Sequence, residues 1–174
     1  MNSPRTPEVP TRVSLRVGAW LAAGVFLTRM PFVWSGFGTD TDTWKFAAGV
    51  REMADTGRYT ASRLPGYPIM EWLSVPFAHL GPWAPNALSA VAAAACAWLA
   101  ARLFARHGVR DAWLAAAAFV FVPAAYIAGT SSIDYLWAIA FALAGWLEAA
   151  DGRATRAGLW LGLAVGTRLT SALF

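Results

Sequence analysis

Apolar residues fall in long blocks along this chain, and polar residues collect in the connections between them. The blocks run from Val17 to Phe37, Ala87 to Phe104, Ala112 to Gly129, Ile133 to Ala149 and Ala157 to Phe174. A membrane-spanning helix needs roughly 20 apolar residues, each rising about 1.5 Å. The pattern predicts an all-α integral membrane protein of about five transmembrane helices, at 17–37, 87–104, 112–129, 133–149 and 157–174. Asn86 is the expected N-cap of the second span. Pro123 is expected to kink the third.

Residues 1–16 are polar, carry Pro4, Pro7 and Pro10, and predict a short cytoplasmic tail. A cleaved signal peptide would use Val17 to Thr28 as its apolar core. The apolar run resumes after Arg29 and no Ala-x-Ala site follows, which favours a retained span.

The long polar stretch 38–82 interrupts this rhythm. Within it, Phe46, Val50 and Met53 share a helical stripe from Thr43 to Thr56, with Lys45, Arg51, Glu52 and Asp55 elsewhere and Gly57 as a stop. This predicts an amphipathic helix lying along the membrane surface. The segment SRLPGYP, residues 62–68, forces a turn. Ile69 to Leu80 returns towards the bilayer, interrupted by Pro76.

Composition agrees with the pattern. Of 174 residues, 57% are hydrophobic and 14% charged, where soluble domains carry about a quarter charged. The chain has ten Trp, a residue that gathers at membrane interfaces. The pI of 9.8 does not indicate a nucleic-acid partner, because the basic residues form no single face. Arg5, Arg12, Arg16, Arg102, Arg106, Arg110, Arg153 and Arg156 fall on one predicted side; Lys45, Arg51, Arg58 and Arg63 in loop 38–82 are offset by five acids. The positive-inside rule then puts the N-terminus in the cytoplasm and the long loop outside, probed against a bacterial cytoplasmic membrane as the expected location. Cys96 is the single cysteine, so no internal disulfide forms.

Several residues are candidates for chemistry. Asp40 and Asp42 stand two apart. One can cap the surface helix. In an extended segment both would point the same way, and could hold a divalent cation or leave one acid as a general base. Arg29 lies inside the first span, where it either snorkels or meets a phosphate or a loop acid. Arg63 sits on the constrained turn, suited to bidentate phosphate recognition or else solvated beside Glu71. Tyr59 and Tyr67 could line a sugar or lipid site. Asp134 is either an N-cap or a second acid on the face of Asp40 and Asp42; Arg168, deep in the fifth span, calls for a buried partner or a cavity. His79 and His107 fall on opposite sides, and the sequence has no metal cluster, Ser-His-Asp set, P-loop or Rossmann glycine pattern.

The order of these features resembles the N-terminal part of the GT-C superfamily, multispan glycosyltransferases that use polyprenyl-phosphate sugars. The resemblance is carried by Arg29-Met30-Pro31, Thr39-Asp40-Thr41-Asp42, Phe46-Ala47-Ala48 with Gly57, Tyr59, Ser62 to Pro68, Asp134, and Gly166 to Thr170. The Thr-Asp-x-Asp start is similar to mannosyltransferases that build GPI anchors, and Pro-Gly-Tyr-Pro to protein O-mannosyltransferase-like members.

The resemblance implies transfer of a sugar, with mannose as the candidate, from a lipid phosphate to an acceptor hydroxyl of a glycan, lipid or protein at the external face. Asp40 or Asp42 would be the catalytic base or metal ligand, with Mg2+ or Mn2+ as the cation. Asp134 would position acceptor or metal, and Arg63 and Arg168 would meet the donor phosphate. Members have more than five spans, so the chain is expected to be the first part of a longer enzyme. Two alternatives come from other classes: a transporter fragment using Arg29, Asp134 and Arg168, and a small membrane scaffold whose acids only cap helices.

Overall fold

A computed structural model describes residues 14–173, and these contain helices and turns but no strand. The predicted tail lies outside the described residues up to residue 13. The long helices are α1 (Leu15–Arg29), α4 (Trp83–Arg106), α7 (Tyr135–Ala150) and α8 (Ala154–Thr167). A broken pair, α5 (Ala112–Phe121) and α6 (Pro123–Ala128), stands between α4 and α7. Two helices fill the loop region, α2 (Thr41–Thr56) and α3 (Pro68–Ser74).

Helix α4 is the axis of the bundle and packs against α1, α5 and α7, while α7 packs against α8. Its inward residues are small. Ala90, Ala93, Cys96, Ala97 and Ala100 are fully buried, and small side chains let helix backbones come close. The same holds where α7 meets α8: a Cβ on Gly145 would lie 2.8 Å from Leu161.

The helical content agrees with the sequence reading; the spans agree only in part. Helix α4, with 24 residues, is the one described helix long and apolar enough to cross a membrane. Two of the others are cut short by backbone breaks. Pro123 does not merely kink the third span: Val122 takes ψ 143° and splits it into α5 and α6. Helix α8 ends at Thr167, because Arg168 is extended (φ −155°, ψ 115°). Asn86 is not a cap either, since α4 already begins at Trp83.

Helix α2 forms where expected and ends at Gly57 in the left-handed conformation, φ 67°. Its apolar stripe, however, does not face lipid. Phe46, Val50 and Met53 are buried against Met70, with Val75, Ala78 and Trp137 around them. The stripe fastens α2 to α3 and to α7.

The break between α5 and α6 explains Arg29. A helix end leaves carbonyls without partners. Arg29 Nη2 donates to the Val120 carbonyl at 2.7 Å, and Nη1 donates to Val25 O at 2.9 Å and Thr28 Oγ1 at 3.2 Å. The guanidinium lies over Tyr126 (4.7 Å) and Phe121 (5.2 Å). Gly129 makes room, since a Cβ there would lie 2.7 Å from Arg29 Nε. Arg29 is fully buried, so it neither snorkels nor meets an acid of the loop; it closes a broken helix.

Replacing it by Met should therefore destabilise the protein by about 1.5–3 kcal/mol, the range for hydrogen bonds involving a charged group. Denaturant unfolding in detergent measures this, and an unchanged midpoint would show that the α5–α6 break needs no arginine.

Candidate functional site

The candidate site forms at the end of the bundle where α7 begins and α8 ends, covered by α2 and the loop before α3. It is assembled from four segments.

Helix α2 supplies the first acid. Asp40 is the N-cap, and its Oδ1 accepts from the Asp42 backbone N–H at 2.9 Å. The helix begins at Thr41, so Asp42 sits in the first turn and the extended geometry expected for Asp40–Asp42 does not arise. The two acids divide the work: Asp40 caps, and Asp42 reaches the neighbouring loop.

That loop is built around Glu71, a residue the sequence reading considered only as a partner for Arg63. Glu71 is fully buried. Its carboxylate accepts from Tyr59 Oη (2.7 Å), Ser62 N (2.8 Å), Ser62 Oγ (2.5 Å) and Tyr67 N (3.1 Å). A buried carboxylate is tolerated when donors surround it. Gly66 passes directly beneath Tyr59: its φ is +105°, and a Cβ would lie 2.5 Å from the phenol oxygen. Gly49 of α2 lets the loop approach, since a Cβ there would lie 3.2 Å from Ser62. Burial and the Glu71 hydrogen bond push the Tyr59 phenol up to about 12.

So held, the loop projects Arg63 between two helices. Its Nη1 donates to Asp42 Oδ2 at 2.8 Å and its Nη2 to Asp134 Oδ1 at 2.9 Å. Tyr67 lies against the guanidinium, 4.4 Å from ring centre to Cζ. Asp134 stands just before α7 but makes no capping bond; its carboxylate is nearly fully buried. Arg168 completes the row. Its Nη1 lies 3.5 Å from Asp134 Oδ1, an ion-pair contact without hydrogen-bond geometry, and its guanidinium rests 4.1 Å over Tyr135. The extended backbone at Arg168 marks where α8 gives way to this cluster.

The Asp134 turn is pinned from behind by Asn86. Its Nδ2 donates to Val33 O (2.9 Å) and Gly36 O (2.7 Å), and its Oδ1 accepts from Ser132 Oγ (2.7 Å). A buried Asn in the first turn of an apolar helix was the signal in the sequence; its partners lie some fifty residues away and left no local trace.

The structure thus joins Asp42, Arg63, Tyr67, Asp134 and Arg168, and leaves Asp40 and Arg29 to structural tasks. The Arg63 hydrogen bond holds the Asp42 carboxyl below its ordinary value, although burial opposes this. For Arg63, burial alone would lower the guanidinium pKa, but the Asp134 charge and the bonds to both acids raise it. Among the described residues no three His, Cys, Asp or Glu side chains converge as metal ligands. A cation between Asp42 and Asp134 would have to take the place of the Arg63 guanidinium, so no step is assigned to one.

Two pH effects follow. A depressed Asp42 adds stability above its unfolded pKa of 3.8, lost as pH falls through the folded value. A raised Tyr59 adds stability below its unfolded pKa of 10.0, lost as pH rises towards about 12. In Glu71→Gln, one tyrosine should titrate nearer to the ordinary value, read as tyrosinate absorbance; an unshifted curve would remove Glu71 from its role as organiser of the loop. Compared with known proteins, the chain matches no family model, no curated sequence and no solved structure.

Proposed function

We propose that the chain is the membrane part of a sugar transferase of the GT-C kind, moving a sugar from a polyprenyl phosphate to an acceptor hydroxyl. The observation that carries this reading is the convergence of Asp42, Arg63 and Asp134, which lie 21 and 71 positions apart along the chain.

A membrane setting is supported by the tryptophans. Trp34, Trp44, Trp72, Trp83 and Trp137 lie towards the end that holds the cluster, and Trp20, Trp98, Trp113, Trp146 and Trp160 on the other half of their helices. Tryptophans near helix ends are what a bilayer interface selects. In this reading α1, α4, α5–α6, α7 and α8 cross the membrane, and the cluster faces outwards. The short helices require a locally thinned bilayer.

In the reaction, the acceptor oxygen attacks the anomeric carbon, and the bond from that carbon to the phosphate oxygen breaks. The phosphate leaves with the electron pair, and the acceptor proton passes to a base. Asp42 is the base in this scheme. Its side chain is 38% exposed, the more open of the two acids in the row. Arg168, 28% exposed, offers charge to the departing phosphate. Of the residues the transporter alternative would use, Asp134 and Arg168 are in contact, while Arg29 is bonded to Val25, Thr28 and Val120.

The test is transfer of labelled sugar in membrane vesicles. Asp42→Asn should lower the rate at least 100-fold, the scale of general base catalysis. Asp40→Asn should stay near wild type, since Asn caps a helix about as well as Asp. Full activity in Asp42→Asn would end the assignment.

A further inference from the structure

Two glycines in the middle of α8 have no packing reason within the described residues. A Cβ on Gly145 or Gly166 would run into a neighbouring side chain at 2.8 or 2.9 Å, whereas a Cβ on Gly158 or Gly162 would meet nothing within 4 Å. The space beside them is a groove of about 750 Å3 on the exposed face of α8. Cavities of about 300–1,000 Å3 hold small ligands. Gly158 and Gly162 lie one helical turn apart along the groove, and Leu159, Trp160 and Leu163 complete its apolar lining. Leu159 is 65% exposed, and Trp160 is steadied by stacking on Phe141 of α7 at 5.8 Å.

Charge enters this groove only at its loop end, as Glu148 and Arg156. Glu148 is already paired with Arg153 at 3.1 Å. Asp151, in the same turn, is shared by Arg106 and Arg153. Arg156 makes no ion pair among the described residues. The α7–α8 turn and its partners thus set three guanidiniums against two carboxylates, and the excess charge sits on Arg156. Helix α8 does not offset it. Its first turn holds no acid, its N-cap makes no side-chain bond, and the positive end of the helix dipole lies there too.

A ligand matched to this groove has one negative charge and a long apolar remainder. The lining from Arg156 to Leu163 runs about 10 Å along the helix axis, at about 1.5 Å per residue. The hydrocarbon of one bilayer leaflet is about 15 Å deep, so the groove covers about two-thirds of an acyl chain's depth. Basic pockets between helices near the membrane surface take acidic headgroups. A helix of a second copy would also fit over two glycines, but it brings no free acid to Arg156, because both carboxylates of this turn are already paired.

We propose that the groove on α8 holds one anionic phospholipid of the surrounding bilayer, with its phosphate on Arg156 and an acyl chain along Gly158, Leu159, Gly162 and Leu163. The site is distinct from the place of a sugar donor. Arg156 lies in the first turn of α8 and Arg168 just beyond its other end, about 18 Å away along the axis, and only Arg168 belongs to the ionic row. The inference rests on the membrane setting and is independent of sugar transfer.

The test uses the purified full chain in detergent and native mass spectrometry. Dioleoylphosphatidylglycerol is titrated against dioleoylphosphatidylcholine, which has the same acyl chains and no net charge. Wild type should bind one phosphatidylglycerol about fivefold more tightly than phosphatidylcholine, the effect of one basic residue near an anionic headgroup. Arg156→Gln should abolish that preference. Gly162→Leu, whose Cβ meets nothing within 4 Å, should fold as wild type does and lose tight binding of both lipids.

Equal affinity for the two lipids, a preference that survives Arg156→Gln, or displacement of phosphatidylglycerol by inorganic phosphate would overturn the site. So would a lipid-free dimer that Gly162→Leu dissolves, since the face would then belong to a second copy. Carbonate extraction of membranes separates this claim from the membrane setting. A chain that stays in the membrane but shows no lipid preference loses only the site; a chain that carbonate releases loses both.

Discussion

A single guanidinium holds together the end of the bundle that carries the candidate site. Arg63 spans Asp42 on α2 and Asp134 before α7, at 2.8 and 2.9 Å. Everything around it serves to bring those groups within reach. Glu71 gathers the backbone of the loop so that Arg63 projects. Asp40 caps α2 so that Asp42 is free to turn away. Asn86 ties Ser132 to the segment after α1, which sets the height of Asp134. Each of these is a polar group buried or half-buried at the end of an otherwise apolar bundle, where hydrogen bonds are strong and unpaired groups are costly.

Arg29, which is buried, and Arg63, which is half-buried, solve different problems by the same chemistry. Arg29 has only carbonyls and aromatic faces for company, and its fork covers the backbone left open by Pro123. Arg63 has two carboxylates, and its fork joins two helices. The first makes a break in a helix tolerable; the second makes an ionic centre that still carries unpaired donors and an unpaired acceptor.

The sequence made the helices legible because their signals are local. The stripe of Phe46, Val50 and Met53 and the stop at Gly57 need only one helix to be read. The same local logic gave one of Asp40 and Asp42 as a cap and singled out Arg63 and Asp134. It failed wherever a partner was distant. The stripe of α2 was assigned to lipid, but whether an apolar face meets lipid or protein depends on what packs there, here Met70 and Trp137.

Arg29 was ambiguous because its acceptor, the Val120 carbonyl, exists only once Pro123 breaks the helix. Glu71 was overlooked because its donors are a phenol, a hydroxyl and two backbone N–H groups, none of which mark a sequence. Arg168 was placed within a helix, since nothing in Gly-Thr-Arg-Leu-Thr forbids one; tertiary contact with Asp134 and Tyr135 accompanies the extended backbone instead.

The central claim is that Arg63 and Asp134 act as one unit in a site that transfers sugar. A double-mutant cycle on the transfer rate tests it most directly, using Arg63→Gln, Asp134→Asn and the pair together. If the two residues form one unit, either single change removes most of the activity and the double variant is scarcely worse than each alone, a coupling of about 1–3 kcal/mol. If the losses simply add, or if neither change touches the rate, the ion pair is architecture only and the account of the site is wrong.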